Sequence, residues 1–321
     1  MVHANLPWVE SPFFDEELKL KNLTDDQKEL VNDYRNNGYV ILKGIVPESL
    51  IDAVRGELEK KGFNTAFSIK TSRDETRVQD LWQISDPVKE LACFPQVLEV
   101  LQLLYEREPV PFQTLNFRVG TQQKAHSDTI HFSSLPSKFM CGVWIALEDI
   151  TEDNGPLFYY PGSQRLAEYN FAQIKNTADA PSYENYKEYE NFIAKIITAN
   201  EFEKKTFLAK KGDLLIWSSN ILHGGSPVTK EGSTRWSQVT HYFFKDCYYF
   251  TPMLSNMVTN ELVLRHELVN INTGKVVEQS YNGKKLNYFK TGRGKFIFTG
   301  NIKLPKVISL WDSAKRILSG N

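Results

Sequence analysis

The 321-residue chain is 41% hydrophobic and 24% charged, with a formal net charge of -1, a balance that provides a sizeable core and excludes wholesale disorder. Near-neutral charge gives no general attraction to nucleic acid or anionic membrane, and no apolar run is long enough to span a bilayer. The stretch through Leu6-Pro7-Trp8 lacks a basic segment followed by an apolar core, so the chain reads as cytoplasmic, and an odd set of cysteines, Cys93, Cys141 and Cys247, without CxxC spacing fits reduced buried thiols.

Thr24-Asp-Asp-Gln27 has the pattern of a capping box and predicts a helix start. Leu30, Val31 and Tyr34 form its apolar face, and Asn36-Asn-Gly38 supplies residues that tolerate a left-handed end. Tyr39-Val-Ile-Leu42 reads as a short buried strand. Pro47 opens a second helix, with Leu50, Val54 and Leu58 four residues apart and Gly62 near its end. A third follows Pro95, where Val97, Leu98, Leu101, Leu104 and Tyr105 make a stripe suited to buttressing a sheet. These helices occupy about residues 15–105.

From residue 111 the period becomes two: Leu115, Phe117 and Val119 alternate against Asn116 and Arg118. Cys141-Gly-Val-Trp-Ile-Ala-Leu147 places Val143, Ile145 and Leu147 on one face and Gly142, Trp144 and Ala146 on the other. Turns at Asp153-Asn-Gly-Pro156 and Pro161-Gly-Ser163 separate short strands, the pattern of a sandwich or barrel. An insertion at about 165–200 carries Tyr183, Tyr186, Tyr189, Ile193 and Ile196 at helical spacing, as a lid or as a helix outside the sheets. Strand character resumes in Gly212-Asp-Leu-Leu-Ile-Trp217 and in Ser237, Val239, His241 and Phe243. The core thus runs over about 110–250, followed by an extension over about 251–321 with hairpin turns at Thr273-Gly274 and Asn282-Gly283.

No repeat or linker divides the chain, and residues 1–321 read as one domain. The extension is basic: Lys275, Lys284, Lys285, Lys290, Arg293, Lys295, Lys303, Lys306, Lys315 and Arg316 face only Glu278 and Asp312. This reads as a solvated basic face, with no nucleic-acid partner expected. Gly292-Arg-Gly294 is too short and badly placed for a phosphate loop.

The chemistry centres on His126-Ser-Asp128. An imidazole and a carboxylate two residues apart on one strand share a face and can reach one metal ion. His223, in Ile221-Leu-His-Gly-Gly225, supplies a third ligand. Two His and one carboxylate hold non-haem Fe(II) on three sites and leave three positions open, which suits oxygenase chemistry. Arg235 and Ser237, twelve and fourteen residues past His223, share a face by the same parity. A guanidinium holding one carboxylate bidentately beside a hydroxyl fits a dicarboxylate whose far end chelates the metal, and that ligand is 2-oxoglutarate.

These features, with Asn37-Gly-Tyr-Val-Ile-Leu42, Gln123-Lys-Ala-His-Ser-Asp128, Trp144-Ile-Ala-Leu-Glu-Asp149, Asn154-Gly-Pro-Leu157, Pro161-Gly-Ser163 and His223-Gly-Gly, resemble the phytanoyl-CoA dioxygenase family of Fe(II)/2-oxoglutarate oxygenases over residues 37–244. The resemblance implies a mainly β fold with peripheral helices, a double-stranded β-helix or jelly-roll. It matches His126, Asp128 and His223 to the iron ligands, Arg235 to the residue binding the remote carboxylate, Ser237 to its helper and Gln123 to a co-substrate contact. Arg77, Asp80 and Trp82, ahead of the first core strand, correspond to a region that borders the pocket in relatives, and Trp144 is a further candidate substrate wall.

Two departures stand out. Gln164 occupies a position where the family often has His, and Leu157 stands where some relatives carry a hydroxyl. Asp128 is retained, whereas halogenating relatives have a small residue there, so the resemblance implies a hydroxylase that oxidises a C–H bond of a small molecule with O2 and releases succinate and CO2. Natural-product and acyl metabolism both supply such substrates. The other functional class is a jelly-roll with an inert or zinc-filled site that binds a small ligand without catalysis. His131 and His241 read as ordinary buried histidines, although His241 shares the face of Arg235. Trp217 and Trp236 read as core.

Overall fold

In the computed structural model, which describes residues 5–61, 68–70, 76–174, 185–259, 261–285, 289–290 and 296–298, two helices, α1 (Phe14–Leu20) and α2 (Asp25–Asn37), open the chain. The capping box at Thr24 forms: its Oγ1 accepts from the Gln27 backbone N–H while the Gln27 side chain accepts from the Thr24 N–H. Two otherwise orphaned donors are thereby satisfied. Gly38 ends α2 at φ 81°, a left-handed conformation that a Cβ disfavours. The Gln164 side chain occupies the adjacent space, where a Cβ on Gly38 would lie 2.6 Å from it. Its amide donates to the Arg35 and Asn36 carbonyls at the helix end.

Helix α3 (Glu48–Lys61) starts directly after Pro47 and buries Leu50, Val54 and Leu58; Gly62 lies outside the described residues. A short helix with no signature in the sequence reading, α4 (Asp86–Ala92), precedes α5 (Pro95–Tyr105), whose Val97, Leu101, Leu104 and Tyr105 are buried. All five helices pack on one side of a large sheet, as the apolar stripes require.

The core strands are β1 (Tyr39–Leu42), β2 (Ser68–Lys70), β3 (Thr76–Gln79), β4 (Pro109–Phe117), β5 (Ser133–Leu135), β6 (Met140–Ala146), β7 (Leu157–Tyr159), β8 (Lys205–Phe207), β9 (Leu214–Ser218), β10 (His223–Gly225), β11 (Ser237–Phe244) and β12 (Tyr248–Phe250). The large antiparallel sheet has the order β1-β9-β6-β11-β4-β3-β2, and a smaller sheet, β10-β7-β8, faces it. A bridge between His126 and His223 extends the smaller sheet by one more crossing. Two facing sheets with helices outside one of them make this a jelly-roll.

Strand parity sorts the core. On β6, Val143 and Ile145 pack toward the helices, while Trp144 and Ala146 face the smaller sheet; on β9, Leu214 and Ile216 divide from Leu215 and Trp217 in the same way. Gly142 stands opposite Trp217 across the β6/β9 pair. A Cβ there would fall inside the van der Waals radius of the indole, so glycine is what lets that ring lie over the sheet.

The insertion contributes α6 (Tyr186–Ala199), which buries Tyr189 and Ile193 against Ile130, Leu222 and Met253; Tyr183 lies outside the described residues. The helix therefore packs on the segments carrying His126, Asp128 and His223. In the extension, both expected hairpins form, β14 with β15 and β16 with β17 (β13 Leu262–Val263, β14 Val269–Asn270, β15 Lys275–Val276, β16 Ser280–Tyr281, β17 Lys284–Lys285). Asn282 and Gly283 both have positive φ, the requirement of a tight two-residue turn. Lys275, Lys284 and Lys285 are exposed. Arg293, Lys295, Lys303, Lys306, Lys315, Arg316 and the Gly292-Arg-Gly294 segment lie outside the described residues. Cys93, Cys141 and Cys247 are free thiols, and among the described residues no helix is long and apolar enough to cross a membrane.

Candidate metal centre and its cavity

His126, Asp128 and His223 converge: one ligand atom from each lies within 4.8 Å of the others, and all three residues are buried. The sequence reading placed His126 and Asp128 on one strand, and the structure corrects this. His126 forms only the bridge to His223, and Asp128 opens a 3₁₀ turn (Asp128–Ile130) capped by the Ser127 hydroxyl, which accepts from the Thr129 N–H. The turn, not strand parity, brings the carboxylate back toward the imidazole.

Backbone carbonyls fix both histidine tautomers. His126 Nδ1 lies 3.0 Å from Lys124 O and His223 Nδ1 lies 3.1 Å from Ile221 O. A carbonyl only accepts, so each Nδ1 carries a proton, which leaves Nε2 as the ring nitrogen whose lone pair can reach a metal. Burial, reinforced by the neighbouring His223, lowers the His126 pKa to about 3, so the ring is neutral at physiological pH. Both Nε2 atoms stand 3.7 Å from Asp128 Oδ1. The other oxygen, Oδ2, accepts a 2.8 Å hydrogen bond from the Trp217 indole. Burial pushes the Asp128 pKa up, but His223, His241, His126 and the indole bond together outweigh it and hold the carboxyl below its usual range. Two imidazoles with Nε2 turned to one point and an oriented carboxylate suit a divalent transition metal, with the second oxygen already committed to the protein.

These ligands line a cavity of about 710 Å3 that also contains Arg235. The Arg235 guanidinium is buried, donates to Gly155 O at 3.2 Å, and lies 5.7 Å and 5.8 Å from the Trp144 and Phe117 ring centroids. Its carbonyl anchor belongs to the Asn154-Gly-Pro turn, where Gly155 has φ +75° and a Cβ would lie 2.8 Å from Val228. A metal triad and a buried guanidinium therefore share one chamber between the two sheets.

The phytanoyl-CoA dioxygenase (PhyH) family profile matches residues 34–235, more than half of the sequence. The chain belongs to this family. Membership places it among the Fe/2-oxoglutarate-dependent oxygenases. Human peroxisomal phytanoyl-CoA dioxygenase is 22% identical over 245 residues, 67% of this chain and 68% of the human protein. In structure the chain is similar to SnoN, a non-haem α-ketoglutarate-dependent epimerase from nogalamycin biosynthesis, with TM-score 0.55 and 17% identity over 70% of this chain and 85% of that one. It is also similar to EctD from S. alaskensis, solved with 2-oxoglutarate and 5-hydroxyectoine, with TM-score 0.52 and 18% identity over 70% of this chain and 79% of EctD. At these identities the structural likeness shows the jelly-roll fold alone.

The remaining candidates divide. Gln123, expected from the PhyH resemblance as a co-substrate contact, lines the cavity with its amide nitrogen 3.3 Å from His126 Nε2. Ser237 does not line it: at the start of β11, between Phe117 and Ala146, its hydroxyl donates to Arg235 O at 3.4 Å. Arg77 and Trp144 line the cavity, whereas Asp80 and Trp82 do not. Parity on β3 is the reason. Arg77 and Gln79 point inward, Val78 points toward the helices, and Asp80 follows Val78 outward to accept from Thr114 N–H and the Trp82 indole.

Several lining residues were missed by the sequence reading. His131 and His241, read as ordinary buried histidines, both face the cavity, and burial lowers each pKa to about 4. His241 Nδ1 lies 3.1 Å from Gln113 Oε1, and its Nε2 lies 3.9 Å from Asp128 Oδ2. His131 Nε2 is 3.3 Å from the Tyr186 hydroxyl of α6, so the insertion supplies a wall of the chamber. The placement of His241 on the cavity face by parity with Arg235 was the available signal, and Tyr186 belonged to the helical pattern of the insertion; nothing in the sequence marked Gln79 or Arg265. Gln164 and Leu157 also sort clearly: Gln164 closes α2 away from the cavity, and Leu157 lines it.

Proposed function

We propose that the chain is an Fe(II)/2-oxoglutarate-dependent oxygenase of hydroxylase type, which oxidises a C–H bond of a small molecule with O2 and releases succinate and CO2. The observation that carries this reading is the buried Arg235 guanidinium in the same chamber as His126, Asp128 and His223. In this reading the triad holds Fe(II), Arg235 grips the remote carboxylate of 2-oxoglutarate, and Gln123 adds a contact near the metal. Ser237 serves indirectly, bracing the Arg235 backbone. When bound, iron and 2-oxoglutarate supply the oxidising chemistry that no side chain provides.

The protein's own part is orientation and exclusion of water. Carbonyls at Lys124 and Ile221 aim the imidazoles, Trp217 aims the carboxylate, and the rings of Trp144, Phe117 and Phe132 give the chamber apolar walls. Asp128 fills the position that must be small for halide to reach the metal, which favours hydroxylation. Relatives in structure include an epimerase and a carbocyclase, so the outcome of C–H oxidation has to be read from products.

Anaerobic titration of Fe(II) with 2-oxoglutarate tests the proposal. A weak visible charge-transfer band from chelated keto acid is expected, followed by succinate release when O2 and a substrate are admitted. No band, together with tight zinc binding, would indicate a binding module without catalysis.

A further inference from the structure

The chamber runs along the paired strands β4 and β11, whose register sets inward side chains side by side, Leu115 opposite Val239 and Gln113 opposite His241. All four line it. Arg235 stands at the other end, against Phe117 and Trp144, and the four residues from Phe117 to Gln113 span roughly 14 Å of strand. Under the proposed function 2-oxoglutarate occupies the Arg235 end, so the end formed by Gln113 and His241 is left to the substrate. The β4/β11 register shifts between His241 and Tyr242, an irregularity of the kind that re-aims side chains beside active sites.

The His241 ring is clamped in place. The Phe132 and Trp217 rings lie 4.9 Å and 6.4 Å from it, centroid to centroid, and Nδ1 is 3.1 Å from Gln113 Oε1. That turns Nε2 toward the metal ligands, where Asp128 Oδ2 lies 3.9 Å away, too far for a hydrogen bond and already committed to Trp217. His241 is only 5% exposed, yet its Nε2 makes no hydrogen bond to the described residues, and a buried ring nitrogen that opens on a cavity calls for a ligand. Gln113 likewise uses only one end of its amide, on His241. Burial keeps the imidazole neutral, so with Nδ1 protonated the pair presents the Gln113 N–H donors and the His241 Nε2 acceptor. Turning the amide over exchanges the roles, with Nε2 donating and Oε1 accepting. Either way one donor and one acceptor stand together, and a hydroxyl, which accepts and donates through a single oxygen, complements both. A carboxylate has no proton to give and does not.

We infer that Gln113 and His241 hold a hydroxyl group of the substrate beside the metal. The substrate is then an alcohol or polyol, oxidised within a few bonds of the hydroxyl held there, and these two residues determine that specificity. This assignment rests on the proposed function, and the test separates the two.

The protein is loaded anaerobically with Fe(II) and 2-oxoglutarate, and the charge-transfer band is followed as matched probes are added. The probes are linear, cyclic and benzylic alcohols and polyols, each with the fluoro analogue that keeps its size and lacks the O–H. At least one alcohol should shift the band and bind about tenfold or more tightly than its fluoro analogue. Gln113→Met and His241→Phe, which keep the volume and lose the hydrogen bonds, should each weaken that alcohol by about ten- to a hundredfold and leave the fluoro analogue little changed. The preference then collapses, whereas a residue that served packing alone would move both probes together. His241→Gln, whose amide reaches the place of Nε2, should keep part of the preference. Gln113→Met decides the matter if a His241 variant fails to fold or to hold iron, since the Gln113 side chain bonds to His241 and to no metal ligand. Absence of any alcohol that shifts the band, equal response to alcohol and fluoro analogue, or a preference that survives both variants overturns the inference and leaves the proposed function standing. If wild type gives no band, the proposed function fails, and calorimetry with the same probe pairs decides the hydroxyl site by itself: an alcohol preference lost in Gln113→Met supports it, and no preference removes it.

Discussion

Asp128 is oriented by a single indole, and that makes Trp217 the most informative residue near the metal. Trp217→Phe keeps most of the packing in the inter-sheet core but removes the 2.8 Å bond to Oδ2. Metal affinity should drop about 10- to 100-fold, as is usual when the partner of a ligand is lost, with little change in melting temperature; Fe(II) or Co(II) titration reads this directly. Arg235→Ala should weaken 2-oxoglutarate about 10- to 100-fold while metal binding is kept, whereas Asp128→Ala should damage both, and full turnover by either variant would overturn these roles. His126, Asp128, His223 and Arg235 were legible in the sequence because metal ligation and a dicarboxylate grip demand particular side chains in any fold. Trp217 and His241 were not, since a tryptophan or histidine at an inward strand position looks the same whether it fills a core or touches a carboxylate. Asp80 and Trp82 lie off the cavity for a related reason: proximity in sequence to a site residue does not say which face a side chain takes past the end of a strand; Ser237 shares the parity of the cavity-lining Val239 and His241 but sits fully buried at the start of β11.

Secondary-structure elements impose their own conditions on the site. Gly142 on β6 lies directly across from Trp217 on β9, and any Cβ there meets the indole. Gly142→Ala should therefore displace the ring from Asp128, costing about 1–3 kcal/mol through overpacking and lowering metal affinity in the direction of Trp217→Phe. Melting curves and metal titrations on both variants would show whether the two effects share a cause. Helix α6 acts on the other ligand segment, where the Tyr189 hydroxyl accepts from the Ser127 N–H at 3.2 Å. Tyr189→Phe leaves that buried donor without its acceptor, a loss of about 1–3 kcal/mol. Caps and periodicity made α2, α3, α5 and β1, β4, β6, β9 and β11 of the large sheet readable, because those signals are local, whereas β2 and β3 carried no such pattern. Helix α4 has only two turns and gave no periodic stripe, and the 3₁₀ turn at Asp128 is tied by the Ser127 hydroxyl to residues 92 and 93 positions away, Ser219 and Asn220.

At the scale of the whole molecule, the buried histidines tie stability to pH. Burial lowers the pKa of His126 to about 3, with His223 adding to the effect, and lowers His131 and His241 to about 4. In the unfolded chain each returns to about 6.5. Between those values the unfolded state binds protons that the folded state refuses, so stability rises with pH: it is fully present above about 6.5 and is lost as pH falls toward 4. Each such ring contributes a slope of about 1.4 kcal/mol per pH unit within its window. Glu168 works in the opposite sense, because burial raises its pKa to about 7 and its contribution is lost as pH rises through that value. Three imidazoles outweigh one carboxyl, so the metal-free protein should melt at progressively lower temperature from pH 6.5 to pH 4. His131→Gln, which leaves all three metal ligands, should flatten that acid limb by about half between pH 6.5 and 4.5, where Glu168 opposes it, and by about a third below pH 4.5. Glu168→Gln should leave the acid limb below pH 4.5 unchanged and raise the melting temperature above neutrality. A profile without slope between pH 6.5 and 4 would mean that the imidazoles are not buried as neutral rings, and the lone pairs assigned to the metal would lose their basis.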